Sequence, residues 1–165
     1  MHLKSYNSYS TIGIYKHRFG KGVNTLLIST KGRYALRLML DLAEHRAEGY
    51  LSIKEIAARQ EISPKYLEAI VAMLTRAGLL LSQRGKDGGY CLSRDPSEIT
   101  AADILRCTEG SLRPVACASL SGGDCGRAAI CKTLPLWRTL EEKLEETLSG
   151  VTLQSLLQET ETKES

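Results

Sequence analysis

Three cysteines crowd one short stretch. Cys117, Cys125 and Cys131 are separated by seven and then five residues. Gly122, Gly123 and Gly126 stand among them, leaving the backbone free to wrap closely around something, and Arg113, Arg127 and Lys132 add positive charge that favours thiolate over thiol. Soft thiolates clustered in this way select zinc or an iron–sulfur cluster; the plainer alternative is three free thiols in a loop. Cys91, between Tyr90 and Leu92, and Cys107, after Ile104 and Leu105, are expected to be small buried apolar residues. A framework of structural disulfides is not expected of five cysteines in a cytosolic chain.

The elements around this loop are legible. Asp95-Pro96-Ser97 marks a boundary, and Thr100 to Asp103 starts a short helix with Ile104 and Leu105 on its apolar side. Glycine, proline and serine dominate from Glu109 to Arg127, where no regular structure is expected. Leu134-Pro135 opens a long last helix on which Trp137, Leu140, Leu144 and Leu148 form one narrow apolar seam among Glu141, Glu142, Lys143, Glu145 and Glu146. Such a seam suits packing against another helix, across a two-fold axis or within the chain's own core, and the dimer contact is the expectation. Ser149-Gly150 ends that helix, and Thr152 caps a short closing one through Leu156 and Leu157.

Upstream, Ser52 to Glu55 reads as a capping box, followed by apolar Ile53, Ile56 and Ala57. After a brief turn at Gln60, Glu61 and Ile62, Ser63-Pro64 is a second start signal, an N-cap with proline at the first helical position. Leu67, Ile70, Val71 and Leu74 recur at helical spacing, and Gly78 supplies the stop. Leu79-Leu80-Leu81 then makes a short apolar strand, Arg84 to Gly89 a basic glycine-rich turn, and Tyr90-Cys91-Leu92 the returning strand. Two short helices, a tight turn and a hairpin with a cationic tip make a winged helix. The second helix turns Lys65, Glu68, Ala69, Ala72 and Arg76 away from its apolar stripe, a face small enough to enter a major groove. We expect DNA contact from Ser63, Lys65, Tyr66 and Glu68, with Arg84 reaching a minor groove. A first helix capped by Thr30 runs to about His45, with Tyr34, Ala35, Leu38, Met39, Leu42 and Ala43 on its buried side. Lys31 and Arg33 sit at its start, where cations oppose the helix dipole, so they are expected to face phosphates.

Charge follows the same division. Residues 1–94 carry 15 Lys and Arg against 7 Asp and Glu, whereas residues 95–165 carry 7 against 12. A basic front and an acidic back suit a protein that meets double-stranded DNA with one end. The expected organisation is a basic extension over 1–26, disordered or arising from a misplaced start codon, a winged-helix domain over 27–94, and a cysteine-loop and dimerisation region over 95–165. The fold class is mainly α, a winged helix-turn-helix with a two-stranded β wing and a long C-terminal dimerisation helix. No phosphate loop or nucleophile–base pair is present and the three histidines are scattered, which excludes the common enzyme classes. With no signal peptide and no transmembrane run, a cytoplasmic protein without membrane partners is expected.

Three motifs fall in order: Thr30-Lys31-Gly32-Arg33-Tyr34-Ala35-Leu36; Ile62-Ser63 with Tyr66-Leu67-Glu68; and Arg84-Gly85 with Gly88-Gly89-Tyr90. Through them the chain resembles, from roughly Leu27 to Leu157, the IscR/NsrR/CymR family of bacterial winged-helix transcription regulators. The resemblance implies a homodimer, and many members sense redox state, nitric oxide or iron through an iron–sulfur cluster while others carry none. Cluster-binding members place three cysteines in this loop, so the resemblance implies Cys117, Cys125 and Cys131 as ligands and leaves [2Fe–2S] and [4Fe–4S] open. The fourth ligand departs from the family: Leu134 stands where some members have histidine, and Arg33 where others have aspartate. Asp124, a partner's Glu44 or His45, an exogenous thiol and water are the candidates. The alternatives are a cluster-free regulator governed by thiol oxidation or a partner enzyme, and a cluster carrier or zinc-binding adaptor, which would leave the wing unexplained.

Overall fold

The computed structural model describes residues 28–115, 117, 120 and 125–161; the expected basic extension over 1–26 lies outside them. Helix α1, Thr30–Glu44, is the centre of the fold, burying Ala35, Leu38, Met39 and Leu42. Its cap is Ser29, not Thr30: the Ser29 hydroxyl accepts from the Gly32 N–H at 3.2 Å and donates to Glu109 at 2.7 Å. The sequence holds two adjacent hydroxyls, and only the distant Glu109 distinguishes them. A polar residue is buried on the same helix. Asp41 is 1% exposed. It accepts from Arg59 Nε and Nη2 at 2.9 and 2.7 Å and from Gln60 Nε2 at 2.9 Å.

Helix α2, Ile53–Gln60, and helix α3, Pro64–Arg76, pack on α1. Strands β1, Leu80–Gln83, and β2, Gly89–Leu92, form the antiparallel wing in the register Leu80–Leu92, Leu81–Cys91, Ser82–Tyr90 and Gln83–Gly89. The expected strand start at Leu79 moves one residue later, because the Leu79 N–H still closes the end of α3 on the Leu74 carbonyl at 2.9 Å. Leu81 faces solvent rather than the core. The wing has an extra partner the sequence did not reveal: Leu51 and Tyr90 exchange backbone hydrogen bonds of 3.0 and 2.8 Å.

The core does not stop at Arg94. Helix α4, Ala101–Glu109, is opened by a reciprocal Thr100–Asp103 box and packs on α1 and α3. Ile99, Ile104 and Leu153 join the same apolar cluster as Leu38 and Leu67. Helix α5, Leu134–Gly150, leads to helix α6, Leu153–Glu161, which returns to α1. The return is sealed where the Ala101 N–H donates to the Val151 carbonyl at 2.8 Å and the Leu153 N–H to the Ile99 carbonyl at 3.0 Å. Cys107 and Cys91 are half-buried, not fully buried. Burial, then the nearby Asp103 charge, pushes the Cys107 thiol pKa up.

Candidate nucleic-acid interface and cysteine loop

The helix-turn-helix is built by its caps. The Ser52 N–H donates to Glu55 at 2.8 Å and the Glu55 N–H to Ser52 Oγ at 3.3 Å, fixing the start of α2. Ser63 Oγ accepts the Tyr66 N–H at 3.3 Å and Pro64 occupies the first turn of α3. Each such cap contributes about 1 kcal/mol. With Leu67, Ile70, Val71 and Leu74 buried, the opposite side of α3 presents Ser63, Lys65, Tyr66, Glu68, Ala69, Ala72 and Arg76 to solvent. Tyr66 meets Tyr34 edge-on, with ring centroids 5.6 Å apart at 82°, so the head of α3 sits beside the first turns of α1. There Lys31 is half-buried and Arg33 exposed, its guanidinium donating to Thr30 Oγ1 at 3.1 Å.

The wing is tied to the end of α3 by Ser93, whose hydroxyl donates to the Gly78 carbonyl at 2.6 Å. Arg84 and Lys86 are exposed at its tip. Gly89 is obligatory at its base, because a β-carbon there would lie 2.2 Å from the Leu51 carbonyl oxygen. The exposed face of α3 and the basic wing tip therefore stand on one core, with their spacing set by short connections.

The cysteine loop is a different matter. Cys117, Cys125 and Cys131 are half-buried and not joined in disulfides. Three sulfurs are a chemically suitable donor set for a cluster or zinc. Among the described residues, however, no group of three or more His, Cys, Asp or Glu side chains comes together to hold a metal ion, so the ligand set is not assembled there. Of the candidate fourth ligands, Asp124 lies outside the described residues, and His45 has its Nδ1 2.9 Å from the Asp41 carbonyl, which leaves Nε2 as the nitrogen able to ligate. Arg113 is engaged by the last long helix, its Nε donating to Glu141 at 3.0 Å. The Cys131 thiol has a lowered pKa, through hydrogen bonds with the Thr133 hydroxyl and backbone and, last, the charge of Arg127.

Helix α5 buries only Leu134 fully. Trp137, Leu140, Leu144 and Leu148 are all half-buried, so the chain's own fold covers the seam only in part. The helix is tied to α4 by Arg106–Glu145 and to the segment after α4 by Arg113–Glu141, two ion pairs that wall a cleft of about 270 Å³.

Comparison with known proteins follows this geometry. The family described as Rrf2, iron-dependent transcriptional regulator, matches residues 28–159. The regulator IscR of Photorhabdus laumondii is 38% identical over 130 residues, covering 79% of this chain and 78% of the relative. The structure of CymR, the global cysteine regulator of B. subtilis, superposes with a TM-score of 0.66 at 42% identity, covering 79% of this chain and 95% of that one. That of T. potens IscR gives a TM-score of 0.65 at 38% identity, with coverages of 84% and 91%. Among the described residues, no helix is long and apolar enough to cross a membrane.

Proposed function

The chain belongs to the Rrf2 family of transcriptional regulators, DNA-binding proteins rather than enzymes, and on that premise we propose a homodimeric, cytoplasmic regulator that reads its operator with α3 and the wing and is controlled through the thiols of its cysteine loop. The observation that carries the DNA assignment is the exposed face of α3 beside a basic wing tip on a single core. In this reading Glu68 accepts from a base amine and Ser63, Lys65 and Tyr66 contact phosphates or base edges. Arg84 enters the minor groove, while Lys31 and Arg33 approach the backbone. The partly covered seam of Trp137, Leu140, Leu144 and Leu148 pairs with its copy, setting two α3 helices about one DNA turn apart, roughly 34–36 Å.

For the control, Cys117, Cys125 and Cys131 are the thiolates that would hold an iron–sulfur cluster, of [2Fe–2S] or [4Fe–4S] type, which would supply a cross-link sensitive to redox state, nitric oxide or iron supply. The family's description as iron-dependent supports this reading. Cys131 lies three residues before Leu134, the buried root of α5, so a change in its ligation reaches the helix that sets the dimer. The second reading is control by thiol oxidation without a cluster or by a partner enzyme. It is favoured by the unassembled ligand set and by the lowered pKa of Cys131. Anaerobic purification with iron and sulfide assay separates the two. Brown protein with stoichiometric iron and sulfide, lost in Cys117→Ala, Cys125→Ala or Cys131→Ala, is the expected result. Colourless, iron-free protein that binds its operator and responds to peroxide would establish the second.

A further inference from the structure

The turn between α2 and α3 pivots on Glu61, whose backbone is left-handed at φ +54, a region that penalises any side chain with a β-carbon. Among the described residues it is the one non-glycine with positive φ. Something must hold this pivot, and Arg37 reaches it from α1. Its Nε donates to Gln60 Oε1 at 3.0 Å and its Nη2 donates to the Gln60 carbonyl. Gln60 is gripped from its other side as well, donating through Nε2 to the buried Asp41. The Arg37 guanidinium also lies over the Tyr34 ring, 5.5 Å from its centroid, and Tyr34 meets Tyr66 in the first turn of α3. Arg37 therefore touches the residue before the pivot directly and the head of α3 through one ring. Nothing in the helical periodicity of α1 marks it, because it stands on the exposed side of that helix.

We propose that Arg37 is a positioning residue for DNA recognition: by clamping Gln60 and stacking on Tyr34 it fixes the angle at which α3 leaves the turn, and so how Ser63, Lys65 and Glu68 meet base edges. This rests on the assignment of α3 as the reading helix, and the two fail separately.

The test begins by selecting an operator from a random duplex pool with the wild-type protein, then measuring affinity for that operator and for a random duplex of equal length across a salt series. Arg37→Ala and Arg37→Lys should each weaken operator binding about tenfold, while random-duplex affinity stays within about twofold and the salt slope is unchanged. Lysine keeps the charge but cannot bond both Gln60 acceptors and lie flat on Tyr34. Glu61→Gly in the Arg37→Ala background should recover most of the loss, since glycine takes the turn without the clamp. An equal loss on both duplexes with a slope shallower by about 1 would make Arg37 a phosphate contact and overturn the proposal. Full activity of Arg37→Lys, no recovery by Glu61→Gly, or a lowered melting temperature with unchanged operator affinity would each overturn it too. If wild-type protein enriches no sequence, the assignment of α3 falls as well. If it enriches one that Arg37→Ala binds equally tightly, only the role of Arg37 falls.

Discussion

Asp41 carries an energetic load among single residues that its sequence neighbours do not announce. Burial pushes its carboxyl pKa up, but hydrogen bonds from Arg59 and Gln60 and the Arg59 charge outweigh that, leaving it below the ordinary 3.8. A depressed carboxyl confers stability above its unfolded pKa and surrenders it as pH falls through the folded value. Stability measured by denaturant titration should therefore drop in wild type below about pH 4. Asp41→Asn should start about 2 kcal/mol lower at pH 7, a cost moderated because Arg59 remains 30% exposed, and should show a flatter acid limb. An unchanged acid limb in the variant would remove this account. At the proposed DNA face the two kinds of contact lead to different expectations. Lys65→Ala should weaken all duplexes evenly and reduce the salt slope by about 1, whereas Glu68→Ala should relax discrimination at one base step by about 1–3 kcal/mol, read out by binding to single-base operator variants.

Among the elements, the wing shows how a short hairpin gains from one bridging residue outside it. Two strands of four residues are marginal alone. Leu51 adds its two backbone bonds to Tyr90, and this is possible because Gly89 leaves room for the Leu51 carbonyl. Gly89→Ala should force the two backbones apart, costing about 1–3 kcal/mol by thermal melting and lowering DNA affinity through a displaced Arg84. Normal affinity with a lowered melting temperature would uncouple the wing from binding. The hairpin was legible from its glycine-rich turn and flanking apolar runs; Leu51 was not, because it lies 39 residues from Tyr90 and shares no pattern with it.

For the whole molecule, one fully buried leucine and two ion pairs help to anchor α5, and its apolar seam is only partly covered in the isolated chain. A second copy is the partner that fits the proposed function. Leu140→Glu with Leu144→Glu should give a monomer by analytical ultracentrifugation, since two charges in an apolar seam are strongly disfavoured. Operator affinity should fall by more than about tenfold while per-protomer random-duplex affinity persists, because dimeric binding joins two half-sites on one scaffold. A folded dimer at micromolar concentration would relocate the interface. The basic front and acidic back suit this proposed division of labour, with the elements assigned to DNA in the basic part and α5 in the acidic one.

What the sequence determined is what local rules govern. The reciprocal cap at Ser52, the Ser63-Pro64 start, the buried stripe of α3, the wing and the long α5 seam all depend on residues within a few positions of one another, so caps and periodicity reveal them. The tertiary structure decided what depends on distant partners. Ser29 caps α1 with help from Glu109, Asp41 is buried because Arg59 and Gln60 arrive to satisfy it, and the α4 entry pairs with the α5–α6 junction. Arg37 finds Gln60 across a gap of 23 residues, and Arg113 finds Glu141 across 28. Spacing alone singled out three cysteines as one donor set, but bringing three sulfurs to a common point is a matter of three-dimensional placement, and among the described residues the fold does not do so.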